Sequence, residues 1–191
     1  MNKIILASQS PRRKQLLEWA EVPFEIVIQS TDESFLSTMA VEDIPVHIAL
    51  NKAKAVQAIL NDEQKKLTIL AADTVVVLNE QIIGKPTGRE DAINILSALS
   101  GNEHKVITGV VIMKGDQLIS FADITNVFFH TLTAEQIVFY VDKYKPYDKA
   151  GAYAIQEWIG VVGIQKVEGD FYNVMGLPVS RVVQQLVKLN S

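Results

Sequence analysis

Ser8, Ser10, Arg12 and Arg13 lie in one short stretch that follows the apolar run Ile4 to Ala7. Ser10 before Pro11 is a helix-start signal, because a serine hydroxyl caps free N–H groups and proline at the first helical position has no N–H to leave unpaired. Two hydroxyls, two guanidinium groups and the positive end of a helix dipole then meet at one strand-to-helix turn, which is how a protein holds phosphate. Ser-Pro is also an ordinary cap, and paired arginines also occur in solvated first turns. Cations there oppose the dipole, however, and need another reason to be present.

Asp73 is the most anomalous charge in the chain. It sits in the run from Leu67 to Leu78, which is otherwise almost wholly apolar or β-branched and reads as a strand buried on both faces. A carboxylate buried without a partner costs several kcal/mol. A divalent cation, Lys52 or Lys85 would offset that cost. Gly84-Lys85-Pro86 is not a phosphate-binding P-loop, because Asn79 and Pro86 stand where that motif needs glycine and a hydroxyl residue. Lys85 reads equally as a point charge for phosphate or as a solvated loop lysine.

The histidines at 47, 104 and 130 lack metal-ligand spacing, so any metal is a hard ion held by carboxylates and substrate phosphates, with Glu33 and Asp73 the candidate ligands. From Asp148 to Gln156, small residues allow close backbone approach to a ligand while Lys149, Tyr153 and Gln156 offer charge, stacking and an amide. An amide that both donates and accepts suits the edge of a nucleobase. A rigid glycine-containing turn accounts for the small residues but not for the polar ones.

These residues need elements to position them. The pattern predicts a strand at Ile4 to Ala7, a helix from Pro11, a strand at Phe24 to Ile28 and a long amphipathic helix from about Ile44 to Leu60. A strand from Leu67 to Leu78 comes next, turning through Asn79 to Gln81 into Ile82. A helix spans Arg89 to Leu99, closed by Ser100-Gly101. Lys105 to Met113 and Leu118 to Phe129 form a hairpin, Thr133 to Gln136 is a capping box opening a helix, and Lys145 to Gln156 is loop. Val161 to Val174 reads as another hairpin turning at Glu168 to Asp170, and Leu177-Pro178 starts a last helix. Crossovers mixed with hairpins predict an α/β fold with a mixed twisted sheet flanked by helices.

The chain of 191 residues is long enough for one domain or one fold with two lobes. Its 48% apolar and 21% charged content is that of a globular protein, and a net charge of -4 disfavours a nucleic-acid polymer or an anionic membrane as partner. It contains no cysteine, which excludes disulfides and thiolate chemistry. Neither a signal-peptide layout nor a membrane-spanning apolar run is present, and the expected location is the cytoplasm.

Together, several motifs resemble the Maf-like nucleoside triphosphate pyrophosphatase family along essentially the whole chain, residues 1–191 forming one such domain. They are Leu6 to Arg13, Asn51-Lys52-Ala53, Ala72 to Val75, Gly84-Lys85-Pro86, Ser100-Gly101 with His104, Asp148 to Tyr153 with Gln156, and Val174 to Pro178. The resemblance implies a fold similar to the inosine triphosphate pyrophosphatases, two lobes around a cleft, and a homodimer. It also implies hydrolysis of a nucleoside triphosphate to the monophosphate and pyrophosphate with a divalent cation, Mg²⁺ or Mn²⁺. By the same resemblance Asp73 matches the proton acceptor, and Ser8, Ser10, Arg12, Arg13, Lys52 and Lys85 match phosphate-handling positions. Glu33 matches an acid near the metal.

Arg12, Thr74 and Gln156 are similar to the branch acting on dTTP and UTP, whereas Trp, Gln and Glu stand there in the branch acting on 7-methyl-GTP. A neutral amide pairs with the imide edge of uracil or thymine, while a methylated cationic purine favours a carboxylate. The resemblance therefore assigns catalysis to Asp73, Lys52 and Lys85, and substrate binding to Ser8, Ser10, Arg12, Arg13, Thr74, Lys149 and Gln156. The alternatives are the same reaction on 7-methyl-GTP or a modified pyrimidine triphosphate, and a nucleotide-binding regulator of septum formation.

Overall fold

The computed structural model describes residues 2–189; Met1, Asn190 and Ser191, which the expected domain includes, lie outside them. The first strand, β1 (Ile4–Leu6), is buried at every position, as its unbroken apolar run requires. Pro11 opens α1 (Pro11–Trp19), with the Ser10 hydroxyl accepting from the Arg13 backbone N–H at 3.4 Å. The chain returns into β2 (Phe24–Ile26), parallel to β1, and residues 27–42 form neither helix nor strand. Next comes α2 (Asp43–Ile59), which buries Ile44, Pro45, Ile48, Ala49, Ala53 and Val56 on one face.

A long strand, β3 (Thr68–Leu78), runs parallel to β1 and turns into β4 (Gln81–Ile83). Asn79 and Glu80 carry φ of 49° and 61°, the paired left-handed conformation that a two-residue hairpin needs. After α3 (Arg89–Leu99) come β5 (Glu103–Lys114) and β6 (Gln117–Phe129), with Gly115 at φ 58° between them. Both halves of the Thr133–Gln136 capping box are made at the start of α4 (Ala134–Tyr144).

The expected hairpin over Val161 to Val174 does not form. In its place stand α5 (Trp158–Gly163), β7 (Ile164–Glu168) and α6 (Phe171–Met175), before α7 (Val179–Lys188), the last element among the described residues. The single strand β7 pairs antiparallel with β6, Val127 opposite Val167, so it needs no hairpin partner. Asp170 serves as a helix start, its carboxylate accepting from the Tyr172 N–H at 2.7 Å. Gly-Asp is turn chemistry in both cases, and only the sheet decides whether the turn leads into a strand or a helix.

The result is a seven-stranded mixed sheet of order β2-β1-β3-β5-β6-β7, with β4 on β3, flanked by helices. The chain divides into two units, and it passes from one to the other within β3, β5 and β6 and again after α6. The first unit holds the chain through Asp73, Thr108–Asp123 and the segment from Gly176 onward. Its core joins Ile5, Ala49, Ala53, Val56, Ile69 and Val111, and each large aliphatic side chain so buried contributes about 1.5–3 kcal/mol. Gly109 lets β5 meet α2, since a Cβ there would lie 2.2 Å from the Pro45 carbonyl carbon.

The second unit comprises Thr74–Ile107 and Ile124–Met175. Its α3 and α4 are joined by Arg89, which donates to both Asp142 carboxylate oxygens at 2.6 and 3.0 Å. In the same unit His104, Phe129 and Tyr153 form an edge-to-face triad with centroids 5.1 to 5.4 Å apart.

Candidate active site

In the first unit the turn between β1 and α1 is built as its residue types demand. The Ser8 hydroxyl accepts from the Ser10 N–H at 3.2 Å and from Arg13 Nη1 at 3.1 Å, so it is a hub of the turn as well as a hydroxyl available to a ligand. Arg13 is buried, and its Nε donates to the Gly176 carbonyl at 2.7 Å. Burial lowers the pKa of that guanidinium from its usual value, while the Asp73 and Glu33 carboxylates oppose the shift. Arg12, the next residue back on α1, is half-buried. The orienting role of the Gly176 carbonyl was not legible in the sequence, because a backbone acceptor carries no residue signature.

The same unit brings together the two acids and the lysine of the expected site. Lys52 Nζ lies 2.7 Å from Glu33 Oε1 and 2.7 Å from Asp73 Oδ1. Glu33 comes from the irregular segment before α2, Lys52 from the middle of α2, and Asp73 from β3. Asp73 is less buried than its neighbours led one to expect. Ala72 and Val75 are buried, but the Asp73 side chain keeps 17% of its surface exposed, and Thr74 is also half-exposed. One carboxylate oxygen is thus satisfied by Lys52 while the group retains access to solvent, which removes most of the burial cost.

Thr74, Lys85, Lys149 and Gln156 belong to the second unit. Lys85 is exposed, directly after β4. The loop carrying Lys149 and Gln156 is tied to the Lys85 loop by the Gly151 N–H, which donates to the Gly84 carbonyl at 3.2 Å. Gly151 stands at φ 70°, and a Cβ there would press on Val76 at 3.0 Å, so the small residues of this loop have a packing reason. Lys149 turns inward, 2.8 Å from Asp148 Oδ1 and 3.7 Å from Glu157 Oε1, whereas Gln156 is exposed. Tyr153 turns inward as well, to a 2.7 Å hydrogen bond with His104 Nε2, and offers no stacking face to a ligand. Sequence reasoning missed Tyr140 and Glu157 in this loop's support. Tyr140 lies in the apolar stripe of α4 with Ile137 and Val141, so its spacing signals only core.

The family model described as "Maf-like protein" matches residues 3–189. The chain belongs to the Maf-like family. It is 49% identical to the dTTP/UTP pyrophosphatase of Cytophaga hutchinsonii, over 97% of this chain and 84% of that one. It is 47% identical to the dTTP/UTP pyrophosphatase of Parabacteroides distasonis, over 96% and 94%. With that of Bacillus cereus it shares 44%, over 100% and 97%. Among solved structures, the Staphylococcus aureus Ham1 protein aligns over 100% of both chains with a TM-score of 0.51 at 15% identity, a likeness of fold.

In this Maf-like chain the donor set fits a hard divalent cation. Glu33 and Asp73 direct one carboxylate oxygen each at a single cationic point, now the Lys52 ammonium. Mg²⁺ is commonly held by one or two carboxylates plus substrate phosphates, and no group of three or more acidic, histidine or cysteine ligands occurs among the described residues.

Proposed function

We propose that this chain hydrolyses dTTP and UTP to the monophosphate and pyrophosphate, with residues 1–191 acting as one nucleotide pyrophosphatase domain. The observation that carries the reading is the convergence of Glu33, Lys52 and Asp73 in the unit that also holds the Ser8 to Arg13 turn. Its relatives named for dTTP and UTP support the substrate.

Asp73 accepts a proton from a water molecule as that water's oxygen bonds to the α-phosphorus. The bond from the α-phosphorus to the oxygen bridging to the β-phosphorus breaks, and pyrophosphate leaves with that electron pair. Oδ1 of Asp73 faces the cationic point it shares with Glu33, which leaves its second oxygen for the water, while Lys52 handles phosphate as the resemblance implies. Arg12, Arg13 and Lys85 stabilise charge growing on the leaving group, with Ser8 and Ser10 hydrogen-bonding phosphate oxygens. Thr74 and Lys149 complete the substrate contacts, and the Gln156 amide reads the imide edge of the pyrimidine. Glu33 and Asp73 would hold a divalent cation, which would neutralise charge on the phosphate oxygens.

The resemblance further supports a cytoplasmic location and a homodimer, the latter testable by light scattering of the purified chain. No helix among the described residues is long and apolar enough to cross a membrane. The deciding experiment is a nucleotide panel scored for pyrophosphate release. Highest kcat/KM for dTTP and UTP is expected, and a preference for 7-methyl-GTP would replace this substrate assignment.

A further inference from the structure

The turn that presents Gln156 is held from behind at both of its corners. Ala154 and Glu157 are those corners, closed by the Glu157 N–H donating to the Ala154 carbonyl at 3.0 Å, so Ile155 and Gln156 are the central residues. One hydroxyl meets both: Tyr140 OH, from α4, accepts from the Ala154 N–H at 3.2 Å and donates to the Glu157 carboxylate. The Tyr140 side chain is 0% exposed and stacks on Tyr144 with centroids 5.0 Å apart. The other central residue is fixed by Gly160, where a Cβ would lie 1.7 Å from the Ile155 carbonyl oxygen. Glu157 in turn faces the Lys149 ammonium.

A phenylalanine would fill the same space in the apolar stripe of α4. A hydroxyl at a fully buried position costs free energy unless it is used, and here both of its hydrogen-bonding roles go to the turn around Gln156. On the reading of Gln156 as the base-recognising amide, we propose that Tyr140 is a positioning residue for base recognition. By tying Ala154 and Glu157 together it holds the Gln156 backbone in the conformation that presents the amide, so less of that freedom is lost when the pyrimidine binds.

The test is a double-mutant cycle on the full chain, with Tyr140→Phe, Gln156→Ala and the pair assayed on dTTP, UTP, dCTP and dGTP. Tyr140→Phe is expected to raise KM for dTTP and UTP about tenfold, the loss of one charge-assisted hydrogen bond, with kcat nearly unchanged. In the Gln156→Ala background it is expected to add nothing further. A loss shared equally by all four nucleotides, or effects that add in the pair, overturns the proposal while leaving Gln156 as the base reader. Unchanged selectivity in Gln156→Ala alone defeats the reading of Gln156 and the proposal with it. Should Tyr140→Phe fail to fold, Glu157→Ala takes its place in the cycle, and Glu157→Gln, which keeps an acceptor for the hydroxyl, is expected to restore the KM.

Discussion

Asp73 keeps 17% of its side chain exposed, with one oxygen on Lys52. That combination suits a proton acceptor better than full burial would, since the second oxygen can meet water. Asp73→Asn is therefore expected to bind nucleotide, measured by titration calorimetry, but to lose turnover by about 10²–10⁴-fold, the usual worth of a positioned base. Full pyrophosphate release by that variant would remove Asp73 from the chemistry. Gln156 is exposed. Gln156→Glu should cut kcat/KM for dTTP and UTP by at least about tenfold, because a carboxylate cannot donate to a pyrimidine carbonyl. A selectivity profile identical to that of the parent would mean that the base is read elsewhere.

Elements deliver these residues through close approaches that tolerate no substitution. Gly109 is the clearest in the first unit, because β5 lies against the first turn of α2 with no room for a Cβ. Gly109→Ala is expected to destabilise the fold by roughly 3 kcal/mol or more, since backbone and not a flexible side chain must move. Thermal denaturation measures it, and an unshifted Tm would show that α2 can retreat without cost. Periodicity located α2 to within a residue or so, and β1, β3, α3, α4 and α7 likewise, because each carries a strong apolar pattern and a cap or turn residue. The segment from Trp158 to Met175 was not legible in this way. Its short helices carry too few turns for a helical period, and β7 takes its identity from pairing with β6.

At the scale of the whole molecule, metal supply and pH govern activity and stability through different residues. A chelator is expected to abolish pyrophosphate release and Mg²⁺ or Mn²⁺ to restore it; undiminished turnover with excess chelator would separate Glu33 and Asp73 from metal binding. Stability has its own pH window through His104, whose pKa burial lowers to about 4. The unfolded chain binds a proton there below about pH 6.5 while the folded chain does not, so stability falls as pH drops from about 6.5 to 4. The contribution is roughly 3 kcal/mol across that window. His104→Gln should flatten the dependence of Tm on pH between those limits, and an unchanged slope would assign acid sensitivity to the carboxylates instead.

Residue order alone was enough for the fold class, most of the elements and the singling out of the Ser8 to Arg13 turn and of Asp73. Those depend on local propensity, on periodicity and on the oddity of a charge within an apolar strand, all of which are properties of neighbours in the chain. Which lysine meets Asp73, how Arg13 is aimed by Gly176, and why Tyr140 bears a hydroxyl are matters of contacts between residues remote in sequence. Such contacts arise only when packing brings distant segments within hydrogen-bonding range. The turn at Ser8 to Arg13 could be read without the fold, whereas the support behind Gln156 could not.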